Sequence, residues 1–162
     1  MRIRRTAGPL VVLALAAAMV LGPSPAGAGS TADGTHSIAL GSVPMEGSQE
    51  VPAADPDGFG RFRYLAAGDT FCYVLTAFRI EPAALAHIHV APAGANGPIV
   101  VGLELPDPVS ADCITAEPDS SLNSAMVLTQ EELDAIIANE AGFYANVHNA
   151  TFPAGAIRGQ LR

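Results

Sequence analysis

From Ser37 to the C-terminus the chain is cut into short apolar or alternating runs, separated by clusters of Gly, Pro, Asn and Asp. The runs fall near residues 35–42, 59–66, 70–79, 84–91, 98–105, 110–116, 123–128, 142–148 and 155–161. Each is strand-sized, and the turn formers between them end it before a helix of ordinary length can develop. Many short strands at such spacing predict an all-β fold, a Greek-key β-sandwich or barrel. One segment breaks the pattern. Thr129-Gln130-Glu131-Glu132 has the form of a capping box, in which the Thr hydroxyl accepts from an exposed backbone amide and the Glu three residues on reaches back. Leu133, Ile136 and Ile137 then recur at helical spacing, which predicts one short helix over about 130–139, laid against the strands.

The first 28 residues read as a signal peptide. Arg2, Arg4 and Arg5 precede an unbroken apolar run from Leu10 to Leu21, and Ala26-Gly27-Ala28 supplies a small-x-small cleavage site. The run falls short of the about 20 apolar residues needed to cross a bilayer, so no stable membrane span is expected after cleavage. No Cys stands directly after it, which speaks against a lipid anchor. Residues 29–34 are then a flexible N-terminus and 35–162 one domain of ordinary size, with a secreted, extracellular or cell-envelope destination.

Removing the leader sharpens the charge. All sixteen Asp and Glu remain beside five of the eight Arg, and there is no Lys, so the formal net charge moves from −8 to −11. Such a surface repels phosphate backbones and excludes nucleic acid as a partner. Cys72 and Cys113 are the only cysteines, and in an oxidising compartment an even pair is most simply one disulfide. Neither has a CxxC partner or a His within ten residues, which argues against a metal-binding or catalytic thiol.

Successive side chains in a strand point to opposite faces. Along 84–90, Ala86, Ile88 and Val90 therefore share one face and Leu85, His87 and His89 the other. Along 143–148 the same division sets Phe143, Ala145 and Val147 inward and Tyr144, Asn146 and His148 outward. Along 156–161 it sets Ile157 and Leu161 inward and Arg158 and Gln160 outward.

Several of these blocks form a recognisable series. Glu50-Val51-Pro52 comes early, Ala86-His87-Ile88-His89-Val90 with Gly94-Ala95-Asn96-Gly97-Pro98 follows mid-chain, and Tyr144-Ala145-Asn146-Val147-His148 and Arg158-Gly159-Gln160-Leu161 close the chain. In content and order they resemble a CHRD (chordin-type) domain over roughly residues 35–162. The resemblance implies an extracellular β-rich module, found in animals within an antagonist of secreted growth factors. The resemblance assigns no activity to a short single-domain member; the expectation for this chain is a non-enzymatic binding or interaction module with no cofactor, whose partner is an extracellular or envelope protein. If the family's sheet brings the three strands together, His87, His89, Asn146, His148 and Arg158 form one polar patch outside the core.

A second reading from another class rests on the same patch. Neutral His nitrogens suit Zn and Cu, and ligands at i and i+2 of a strand point the same way, so His87, His89 and His148 make a candidate metal site. A His-x-His strand on the outside of a β-barrel is also similar to the copper-binding strand of Cu/Zn superoxide dismutases, although the four His of this chain are too few for that enzyme's two-metal cluster. The plainer alternative is that the His and Asn146 pin the loop 91–98 through backbone bonds.

Other candidates are thinner. Asp55-Pro56-Asp57-Gly58 starts like a calcium loop but lacks its later ligands, and reads as a turn. Glu46, Glu50, Glu131, Glu132 and Asp134 are expected on a solvated surface rather than as a glycosidase pair. No Gly-x-Ser-x-Gly elbow or phosphate-cradling glycine motif occurs, so no catalytic residue is assigned. Asn149-Ala150-Thr151 is a glycosylation sequon, expected to be empty.

Overall fold

A computed structural model describes residues 37–118, 124 and 127–162. The expected signal peptide, the expected flexible N-terminus and half of the run at 123–128 lie outside the described residues. Eight strands are present among the described residues: β1 (Ile38–Glu46), β2 (Phe59–Ala67), β3 (Thr70–Phe78), β4 (Ala83–Val90), β5 (Ile99–Gly102), β6 (Val109–Thr115), β7 (Phe143–Asn149) and β8 (Ile157–Gln160). One helix, α1 (Gln130–Ala138), precedes β7. The predicted all-β class with a single short helix is what the chain adopts.

The strands form one antiparallel sheet in the order β5-β4-β7-β8-β1-β2-β3-β6. Its shape follows from two short connections. Five strand spacings separate β3 from β4, about 24 Å in a flat sheet at roughly 4.8 Å per strand, yet only residues 79–82 join them, which reach no further than about 18 Å. The link between β5 and β6, at opposite edges of the order, is residues 103–108. The sheet must therefore curl, and it does so into a half-barrel rather than two separate layers. Its two halves meet where β8 crosses β1, at the single pair Glu46↔Arg158. Gly159 permits that approach, since a Cβ there would stand 2.7 Å from the Pro44 carbonyl oxygen.

β1 runs past the expected end at residue 42, through Pro44. Pro44 faces Arg61, whose own N–H turns toward β3 and bonds the Thr76 hydroxyl at 3.0 Å. This is a non-hydrogen-bonded pair, and the missing N–H costs no bond to β2.

Inside the curl, Met45, Phe62, Phe71, Leu75, Ile88 and Ile157 are fully buried. Helix α1 adds Leu133 and Ile136, both buried, and Ile137 packs against the core from its margin. The capping box is formed: the Thr129 hydroxyl accepts from Glu132 N at 3.3 Å, and the Glu132 carboxylate accepts from Thr129 N at 3.0 Å. Cys72 and Cys113 lie opposite each other on β3 and β6 and are joined as a disulfide. No helix among the described residues is long and apolar enough to cross a membrane.

Candidate metal centre

Strands β4, β7 and β8 are consecutive neighbours, so the residues singled out on them form a grid on the face turned away from the core. One row is His87↔Asn146↔Arg158 and the next His89↔Tyr144↔Gln160, while His148 sits opposite Leu85. The grid is not an open surface patch, as outward-facing side chains would suggest. His87, His89 and His148 are each 8% exposed, and Asn146 and Arg158 only 1%.

Loop 91–98 covers the grid and is held by it. Arg158 donates through Nη1 to Ala95 O at 2.8 Å and through Nη2 to Pro92 O at 3.2 Å and Gln160 Oε1 at 3.0 Å. Gln160 Nε2 donates to Ala91 O at 3.0 Å, and Asn96 Nδ2 to Val51 O at 2.7 Å. The loop then closes on β4, Val90 N donating to Pro98 O at 3.1 Å. Gly97 is required there, because a Cβ would stand 1.9 Å from the Val90 carbonyl oxygen.

Backbone carbonyls fix where two of the imidazole protons sit. His89 Nδ1 is 2.9 Å from Gly97 O, and His148 Nδ1 is 3.1 Å from Pro153 O. A carbonyl oxygen only accepts, so each Nδ1 carries the proton and each neutral ring is left with a bare Nε2 lone pair. His89 Nε2 is buried and makes no hydrogen bond. His148 Nε2 is 3.2 Å from His87 Nδ1 and 3.1 Å from the end of the Asn146 side-chain amide, whose NH2 is the group able to donate to that lone pair. One ring nitrogen from each of the three His lies within 4.8 Å of the other two.

Burial keeps all three rings neutral. It pushes His87 down to about 4, with His148 and His89 adding repulsion, and it also lowers His89 and His148, partly opposed by their carbonyl bonds. The loops thus pin the outer nitrogens while the inner ones converge, the arrangement that holds metal-ligating imidazoles in place from outside the ligand shell. Nitrogens bound tetrahedrally at about 2.0–2.1 Å are roughly 3.4 Å apart, so the His87–His148 spacing needs almost no change.

Glu50 was expected on a solvated surface, and here the structure differs. It is 6% exposed, its Oε1 makes no hydrogen bond, and it presses on Gly155, where a Cβ would stand 2.2 Å from that oxygen. Burial pushes its carboxyl up to about 7, against the pull of Arg158 and the bonds from Asn146 and Val51. Its place in Glu-Val-Pro was the one available signal. Glu46, Glu131 and Asp134 are exposed as expected. Asp55-Pro56-Asp57-Gly58 is a turn, in which Asp55 Oδ1 accepts from Asp57 N at 3.0 Å and Gly58 N at 2.9 Å. Asn149 of the sequon is buried, and its Oδ1 accepts from Phe152 N at 2.8 Å.

The CHRD domain family model matches residues 41–161. The chain belongs to the CHRD-domain family. No curated protein and no solved structure matches it. The span matched to the CHRD domain takes in Glu50, all three His of the cluster, loop 91–98 and Arg158.

Proposed function

We propose that this CHRD domain is a secreted module that binds one transition-metal ion, Zn(II) or Cu, through His87, His89 and His148. The observation that carries the reading is the arrangement of two ligands, His89 and His148: Nδ1 donates to a loop carbonyl, Nε2 keeps its lone pair, and one ring nitrogen of each of the three His lies within 4.8 Å of the other two. Three neutral imidazoles with no thiolate among them suit Zn or Cu over harder cations. The disulfide fits the oxidising compartment that the leader predicts. Nothing in the cluster assigns a reaction to the bound ion, and the reading is one of binding.

Elemental analysis and calorimetric titration with Zn(II) and Cu(II), on wild type and a His87→Ala/His89→Ala double variant, test it. Stoichiometric sub-micromolar binding that disappears in a folded variant is expected. A wild type that takes up neither ion, or a variant that binds as tightly, would sink the reading.

A second reading, that the domain captures an extracellular or envelope protein, is favoured by the outer face of the opposite half-sheet. Leu40, Leu65, Cys72 and Cys113 form one straight row across four strands. Leu40 is 73% exposed and Leu65 44%, and with Val74 they line a shallow groove. An apolar surface of that kind marks interaction sites. Affinity capture from the surface fraction of the source cells, with wild type and Leu40→Asp/Leu65→Asp as baits, checks it; a partner held equally by both counts against this face.

A further inference from the structure

Building on the metal reading, we infer that Arg158 is the positioning residue of the centre: it sets metal affinity by orienting His89, through the ring of Tyr144 and through loop 91–98. Both routes are continuous contacts. Along the first, the guanidinium carbon of Arg158 lies 3.3 Å from the centroid of the Tyr144 ring. That ring is in turn stacked on His89, with centroids 4.7 Å apart and planes 2° from parallel. The plane of His89, and so the direction of its Nε2 lone pair, follows the plane of Tyr144.

Along the second route, Arg158 holds the carbonyls of Pro92 and Ala95, and two residues further on Gly97 O takes the Nδ1 proton of His89. If the loop lifts, His89 loses the acceptor that keeps its proton on Nδ1. The proton is then free to move to Nε2, and the nitrogen facing the other two rings no longer offers a lone pair.

The residue type supports a role beyond loop attachment. Burying a guanidinium is costly, and a neutral amide at this position could bond carbonyls more cheaply. What Arg adds is a charge opposite buried Glu50 and a planar cation for the face of Tyr144, and Tyr144 leads to His89. Its hydrogen bonds go to carbonyl and amide oxygens of the loop and of Gln160, so the fork is spent on holding this assembly.

The test uses Arg158→Met and Tyr144→Leu, with Arg61→Met, an exposed Arg elsewhere, as the control. Zn(II) affinity is read by competition titration, and the His89 tautomer of the metal-free protein by long-range proton–nitrogen NMR. We expect Kd to rise about 10- to 100-fold in both site variants and to stay within twofold in the control. The His89 Nδ1–H tautomer of the wild type should give way to a mixture in the same two variants, a change that general destabilisation does not produce. If Arg158→Met fails to fold, Tyr144→Leu carries the test alone. Wild-type binding matched within twofold by the folded variants, with His89 unchanged, overturns this inference and leaves the metal reading standing. Absence of Zn(II) binding by the wild type overturns both.

Discussion

His87 and His148 meet ring nitrogen to ring nitrogen, Nδ1 to Nε2 at 3.2 Å, across the neighbouring strands β4 and β7. With His148 Nδ1 committed to Pro153 O, the single proton between the two rings belongs to His87 Nδ1. A metal taking both nitrogens must send that proton elsewhere, and the other nitrogen of His87 can accept it. Because all three rings are already neutral near pH 7, uptake of Zn(II) there should release close to no protons. Calorimetry in buffers of different ionisation enthalpy measures this directly. Release of a full proton or more would show that the rings are charged before binding, contrary to the effect of burial.

Two buried groups make opposite demands on pH. His87 is held at about 4 instead of 6.5, so the unfolded chain takes a proton that the folded state refuses. Its contribution to stability is present above pH 6.5 and is lost as pH falls toward 4, and His89 and His148 act in the same direction. Glu50 is held at about 7 instead of 4.5, so the folded state keeps a proton that the unfolded chain releases. Its contribution is present below pH 4.5 and is lost as pH rises to 7. Glu50→Gln should therefore match the wild type near pH 4.5 and exceed it by an increasing margin above, at most about 3 kcal/mol by pH 8. The variant should also show a steeper loss on acidification. Denaturant unfolding of metal-free protein across this range provides the comparison, and a pH-independent difference would exclude Glu50 as a buried titrating group.

Gly97→Ala sets a methyl against the Val90 carbonyl oxygen, which is backbone and cannot swing aside. The loop must shift, and Gly97 O with it. We expect a destabilisation of roughly 1–3 kcal/mol together with weakened metal affinity, read by thermal unfolding with and without Zn(II). A variant that loses stability but binds Zn(II) as the wild type does would separate the loop from the centre.

The disulfide lies on β3 and β6, in the other half of the sheet from the His cluster. Cys72→Ala/Cys113→Ala should cost about 3–4 kcal/mol through the loop it opens, yet leave Zn(II) stoichiometry unchanged wherever the protein is still folded. Titration at low temperature checks this, and loss of the site in a folded variant would contradict the separation of the two halves.

Periodicity made much of this legible. The alternation of His87 and His89 with Ile88, and of Asn146 and His148 with Val147, assigned the faces of β4 and β7 correctly, because each strand has one side on a continuous core. The capping box located α1 for a similarly local reason. What stayed hidden was non-local. Whether an outward face is wet depends on where a loop lands, and nothing in Pro92–Pro98 says that it folds back onto Arg158. Glu50 looked like any solvated carboxylate, since only the return of the chain at Gly155 buries it. The continuation of β1 beyond residue 42, through Pro44, was hidden too, since proline is tolerated there only because Arg61 donates the other way.

β8, four residues close to the chain's end, occupies the middle of the sheet order, between β7 and β1. Hairpins such as β1–β2–β3 can form as the chain is made, but the two halves have no strand to share until residues 157–160 arrive. Synthesis and folding are thereby set in sequence: until residues 157–160 are available the earlier strands make two unjoined half-sheets with open edges, and β8 is the segment that commits the domain to its native architecture.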